Sequence, residues 1–209
     1  MSTRSHDLVP DEFYHIYNRG TEKRILFLDA DDYKRFVELL YLCNTEQQVN
    51  IRDIRSRCKS VYDHDRGDLL VSVGAYCIMP NHYHLLLTTS REGGIAKYMG
   101  KLATSYSMYF NKKYQRSGRL FQGTYKSKFI DTDEYLKYMY AYIHLNPAKL
   151  SPELADRTLG FVSEYEYSSL RQFLQPNEQF AILQPAAFPE YFTQPVDHLH
   201  ELKDWIFLG

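Results

Sequence analysis

The sequence predicts an α+β fold: an antiparallel sheet with helices on one face, in the order β-α-β-β-α-β-α, the ferredoxin-like split arrangement with one extra helix and a C-terminal extension. Three observations predict it. Strand-length aromatic and β-branched runs alternate with stretches of helical periodicity. Turn residues separate them. Hydrophobic residues make up 44% and charged residues 24% of 209, a globular balance that excludes wholesale disorder and suits one domain or one with an appendage.

The elements follow in chain order. FYHIY (13–17) is a strand running into the Asn18-Arg19-Gly20 turn. From 31 to about 42, Tyr33, Phe36, Val37, Leu39 and Leu40 recur at helical spacing behind acidic residues. Residues 44–68 are polar and charged, an expected excursion outside the core. Residues 69–78 read as a buried strand, 79–81 as a turn and 82–88 as its antiparallel partner. A helix follows Gly93 and Gly94, with Ile95, Met99, Leu102 and Tyr106 on one face. Residues 127–130 form a fourth strand, and Asp131-Thr132-Asp133 caps a helix from about 134 to 145 that Pro147 stops. With helices on one face, the other is expected to be open to a ligand. A change of charge sign places a boundary near 150, between a unit at 1–150 and an acidic extension at 151–209.

Several classes are excluded early. No apolar run approaches the roughly 20 residues that span a bilayer. The N-terminus MSTRSHD lacks the apolar stretch of a secretory signal. Cys43, Cys58 and Cys77 form no CxxC pair and cannot all be bonded to one another. A reducing, cytoplasmic setting and no membrane partner are expected.

The net charge of −1 averages over opposed regions. Residues 91–130 carry nine basic side chains and one acid, whereas 151–209 carry nine acids and three bases. The basic stretch is interleaved with tyrosine and phenylalanine, a composition suited to tracking phosphates and stacking bases. A solvated helix face followed by a basic loop has the same composition.

MPNHYHLLL (79–87) is the sharpest local signal. On a strand, residues i and i+2 share a face, so His82 and His84 project together and suit a divalent cation. One packed and one exposed imidazole is the plainer alternative. His198 and His200 share that spacing but sit at an expected helix start, where i and i+2 diverge. In the later helix Tyr142 and Asn146 are i and i+4 and share a face with Tyr135 and Tyr138. This is either a packing stripe or a phenol placed beside a metal that the amide helps to hold.

The ordered set YHIYNRG (14–20), MPNHYHLLL (79–87), GRLFQGTYKSKFI (118–130) and YIHLNPAK (142–149) resembles the HUH superfamily of single-tyrosine transposases. It is nearest to the REP-associated tyrosine transposases and their insertion-sequence relatives, over roughly residues 13–150, with a weaker echo at YEYSS (165–169). The resemblance implies a catalytic domain at 1–150 that cleaves and rejoins single-stranded DNA by metal-assisted tyrosine transesterification, through a 5′-phosphotyrosine. Carried over residue by residue, it makes Tyr142 the nucleophile on the extra helix, His82 and His84 metal ligands, and Asn146 the third ligand where several relatives carry glutamine. The implied cofactor is Mg²⁺ or Mn²⁺, the partner single-stranded or hairpin DNA, and a homodimer is the expected assembly. DNA contacts are expected from Arg116, Arg119, Lys126 and Lys128 to phosphates, and from Phe121 or Tyr125 by stacking. Three other readings compete: a non-cleaving nucleic-acid-binding module of the same fold, a metal-dependent phosphoesterase using water, and an RNA-binding ferredoxin-like protein.

Overall fold

Four antiparallel strands form the sheet: β1 (Phe13–Arg19), β2 (Ser72–Met79), β3 (His82–Thr88) and β4 (Lys126–Ile130). The structure, a computed structural model, describes residues 7–150, 158–191 and 195–208. The strand order is β2-β3-β1-β4, so the two strands richest in histidine lie side by side at the centre. The helices are α1 (Ala30–Leu42), α2 (Ile51–Arg57), α3 (Gly94–Lys113), α4 (Asp133–Leu145), α5 (Thr158–Glu164), α6 (Leu170–Leu174) and α7 (Pro195–Leu208). The α+β split order expected from the sequence is the observed one.

Alternation along the strands builds two apolar layers. Tyr14, Ile16, Tyr83, Leu85 and Leu87 point to the side where α1 and α3 pack through Phe36, Leu40, Tyr98, Leu102 and Tyr106. Ala75, Cys77, Met79, Leu86 and Ile130 point to the other side. There α4 lies down through Leu136, Met139, Tyr140 and Ile143. The second face is therefore not bare, because α4 carries an apolar stripe that must itself be buried. A register shift between Val73 and Ala75 keeps both ends of β2 in phase with these layers. Gly74 sits at the shift, where a Cβ would come within 2.8 Å of the Phe188 ring and the Tyr140 hydroxyl.

Local caps set the helix starts. The Asp29 carboxylate accepts from the Asp32 amide at the head of α1, and Thr132 accepts from the Tyr135 amide at the head of α4. The β2–β3 turn is tied from outside. The Pro80 carbonyl accepts from the Leu26 amide at 2.8 Å, and the Asn81 carbonyl from the Gly20 amide at 2.9 Å.

Two expectations change in detail. The 44–68 excursion carries the short helix α2, and it opens on two fully buried residues, Asn44 and Thr45. Asn44 Oδ1 accepts from the amides of Leu70 and Val71, and its Nδ2 donates to the Val71 carbonyl. The expected join near 150 borders residues 151–157, which lie outside the described residues. Beyond it, Ser168 bridges Cys77 on the edge of β2, and the amide and hydroxyl of Ser169 bond the Tyr76 backbone. Phe188 joins the α4 layer.

Asn44→Ala leaves three interior backbone groups without their partner, each costing about 1–3 kcal/mol. Urea unfolding is expected to show a loss of about 3 kcal/mol or more, and a loss under about 1 kcal/mol contradicts the tether.

Candidate active site

The pairing of β1 with β3 gathers the site. Tyr17 stands opposite His84 and Arg19 opposite His82, and directly paired residues share a face. His15, two residues along, lies on that face as well. The His15 and His84 rings stack at 5.0 Å with planes 20° apart, and His15 stacks on Tyr17 at 4.9 Å. From α4, the Tyr142 ring meets both imidazoles edge-on, at 5.7 Å from His15 and 5.5 Å from His84. His82 meets His84 at 5.0 Å with its plane perpendicular.

Hydrogen bonds occupy Nδ1 of both His82 and His84. Asn81 Nδ2 donates to the Lys23 carbonyl, which turns its Oδ1 toward His82 Nδ1 at 2.7 Å. Nδ1 of His82 must therefore carry the proton, leaving Nε2 with a lone pair. His84 Nδ1 is 2.8 Å from His15 Nε2, and both rings are about 95% buried. With that nitrogen occupied, Nε2 of His84 is the one left for a ligand. Outer partners that hold metal-binding histidines in this way are the usual device for setting ring orientation.

Asn146 closes the third side. It is fully buried at the end of α4, in the turn Asn146–Leu150. Its Nδ2 donates to the Tyr142 carbonyl at 2.7 Å, which leaves Oδ1 to accept from Lys149 Nζ at 3.1 Å. Lys149 Nζ also lies 4.7 Å from the centre of the Tyr142 ring. A cation is thus already seated against the amide oxygen that would coordinate a metal.

Burial sets the protonation states. His84 is pushed down to about 2 by burial, then by His15, His82 and Lys149. His15 is pushed down to about 3 by burial and then by Lys128. Burial, with Lys149 and Arg19, lowers His82 against hydrogen bonding to Asn146. All three rings are neutral at pH 7, the form in which imidazole binds a metal. Among the described residues no group of three His, Cys, Asp or Glu could hold a metal. The donors that fit a divalent cation are Nε2 of His82 and His84 together with the Asn146 amide oxygen, a set with hard and borderline character suited to Mg²⁺ or Mn²⁺.

The structure brings together His82, His84, Tyr142 and Asn146, four residues selected from the sequence. Lys126 and Lys128 also reach this face, paired with Tyr17 and His15, and both are exposed. Arg116 and Arg119 lie on the loop after α3, with Arg116 bonded to Asn111 and to the Arg119 carbonyl. Phe121 and Tyr125 are a correction. They are 6% and 8% exposed, and Phe121 packs edge-on against Tyr83, so neither ring is open to a base. They serve the core because the loop must fold under the sheet to enter β4. The His198–His200 pair diverges as expected: His198 is buried against His144 at 2.7 Å and His200 is exposed.

Sequence reasoning missed four contributors. His15 and Arg19 lie in the YHIYNRG motif, Asn81 precedes the histidine pair, and Lys149 ends the YIHLNPAK motif. Asn81 and Lys149 had a signal in their nearness to candidate ligands. His15 and Arg19 had none beyond the motif.

The family model for IS200-like transposases matches residues 33–146. Among solved structures, the REP-associated tyrosine transposase bound to a REP hairpin superposes with a TM-score of 0.52 and 15% identity, over 83% of this chain and 85% of that one. At that identity the likeness speaks for the fold. A search of curated proteins gives no significant match.

Removing His15 frees His84 to rotate. His15→Ala is expected to weaken Mn²⁺ binding about 10- to 100-fold in titration calorimetry, and unchanged affinity contradicts its positioning role. Stability should also depend on pH. The folded values of His15 and His84, and of His198 at about 4 from burial, lie below the ordinary 6.5. The unfolded chain therefore takes up protons that the folded chain refuses, and stability present above about pH 6.5 is lost as pH falls toward 4. In chelator, the Tm at pH 5 should lie several degrees below that at pH 7.5, and equal values contradict the neutral buried rings.

Proposed function

The chain belongs to the IS200-like transposase family, and on that premise we propose that it cuts and rejoins single-stranded DNA through a covalent bond to Tyr142. The observation that carries this reading is the placement of the Tyr142 ring against His84 and His15, with the Asn146 oxygen one helical turn away and a lysine ammonium over the ring.

A Mg²⁺ or Mn²⁺ ion held by His82, His84 and Asn146 would supply Lewis acidity to a non-bridging phosphate oxygen. The protein groups do the rest. Lys126 and Lys128 on the exposed part of the face bind backbone phosphates, and Arg19 stands opposite His82 for the scissile one. Arg116 and Arg119 extend the basic surface along the loop. The edge contacts from His15 and His84 hold the phenol in one orientation, and the Lys149 charge favours the developing phenolate. Tyr142 gives up its phenolic proton to solvent as Oη bonds to phosphorus, the bond to the 3′-oxygen breaks, and that oxygen takes a proton from solvent and leaves as a hydroxyl. The 5′-phosphate stays on the tyrosine. Attack by a different 3′-hydroxyl reverses the step and joins a new strand, with the ester bond energy conserved.

All four central groups come from one chain, so a homodimer is not needed to complete the site. A phosphoesterase using water has no use for an ordered phenol at this position, and a non-cleaving module has none for two inward-facing imidazole nitrogens.

The test is a labelled hairpin oligonucleotide with a single-stranded flank, incubated with Mg²⁺ or Mn²⁺ and resolved under denaturing conditions. A denaturation-resistant adduct is expected. It should vanish in Tyr142→Phe and in chelator, and fall at least about 100-fold in His82→Ala or His84→Ala. An adduct that survives Tyr142→Phe, or hydrolysis of a small phosphodiester with no adduct, overturns the proposal.

A further inference from the structure

Beside the candidate catalytic centre, between β1, β4 and α4, lies a pocket of about 240 Å³. Tyr17, Tyr135, Tyr138 and Met139 line it, with buried His15 at its inner side and exposed Lys128 at its outer side. It shares Tyr142 and His84 with the catalytic centre. Resting on the proposed DNA strand-transfer reading, we infer that this pocket holds the unstacked base of the nucleotide adjoining the scissile phosphate.

Four features select that ligand. The volume lies below the roughly 300 Å³ at which drug-sized sites begin, so it takes one ring system and excludes a whole nucleotide. The lining is aromatic and thioether, with Tyr135 and Tyr138 16° from parallel, and Tyr17 and His15 stacked on the opposite wall. Such walls accept a flat ring by its faces. The lining holds no carboxylate and one lysine, so the ring it favours carries an attached anion. The shared Tyr142 places that anion next to the phenol. A planar ring tethered to a phosphate that reaches a tyrosine nucleophile is a nucleobase. Drawing it out of the strand's stack also pins the backbone beside the phenol, as enzymes that act on unstacked nucleotides do. The base contacts that Phe121 and Tyr125 cannot make from the core are thereby supplied by α4 and β1.

The experiment scans 2-aminopurine and an abasic site, one position at a time, through the single-stranded flank of the hairpin, in chelator so that no strand is cut. One position should show quenched 2-aminopurine fluorescence on binding, and the abasic site there should weaken binding about tenfold, the order a single stacked base contributes. Tyr138→Ala should remove both effects at that position and leave the penalties elsewhere unchanged, and Tyr138→Phe should restore them. Where Tyr138→Ala fails to fold by circular dichroism, Tyr17→Ala on the facing wall gives the same reading. Uniform quenching along the flank, or an abasic penalty that persists in the alanine variant, overturns the pocket assignment. The scan needs no cleavage. A localised base with no adduct in metal therefore refutes the strand-transfer chemistry and leaves the pocket standing, whereas an adduct mapped to a phosphate not adjoining the quenched position refutes the pocket alone.

Discussion

Two hydrogen bonds to ring nitrogens, His15 to His84 and Asn81 to His82, order everything else in the site. An imidazole on a strand can turn about χ2 and present either nitrogen. Once each Nδ1 is occupied, Nε2 is the nitrogen each ring has left for a ligand, with a lone pair on His84 when its Nδ1 donates to His15. That arrangement needs β1 in register against β3, because His15 reaches His84 only when Tyr17 is its paired neighbour. It also needs the β2–β3 turn held by the backbone at Gly20 and Leu26, because Asn81 lies in that turn. The paired strands and the tied turn therefore serve the chemistry as directly as the ligands do.

The fold was largely legible because its signals are local. Strand alternation, the Thr132 cap and the stop at Pro147 each act over a few residues, and the observed elements follow them closely. The pair His82 and His84 was legible for the same reason, since strand geometry alone puts i and i+2 on one side. His15 was not, because its meaning lies in a contact 69 residues away in sequence. Lys149 stood within the YIHLNPAK motif, but its role was not legible there, because only the turn after Pro147 swings the ammonium back over Tyr142.

The basic stretch 91–130 divides in two. Its charge along the sequence is not its charge on the surface. Arg91 pairs with Asp68, Lys97 with Glu46, and Lys113 with Asp29 and Asp32, all acids from distant segments. These side chains fasten α3 to α1 and to the 44–68 segment. Lys126 and Lys128 stay exposed because β4 presents them on the catalytic face. Phe121 and Tyr125 of the same stretch go inward, and it is tyrosines outside the stretch, on β1 and α4, that line the pocket beside the phenol.

The central claim is that two imidazole nitrogens converge on one cation beside Tyr142. Pulsed electron paramagnetic resonance of the Mn²⁺-loaded protein, with histidine uniformly labelled in ¹⁵N, reads it directly. Couplings from two directly bound histidine nitrogens are expected, each lost singly in His82→Ala and His84→Ala. A spectrum with no directly bound histidine nitrogen, or couplings indifferent to those substitutions, contradicts the site.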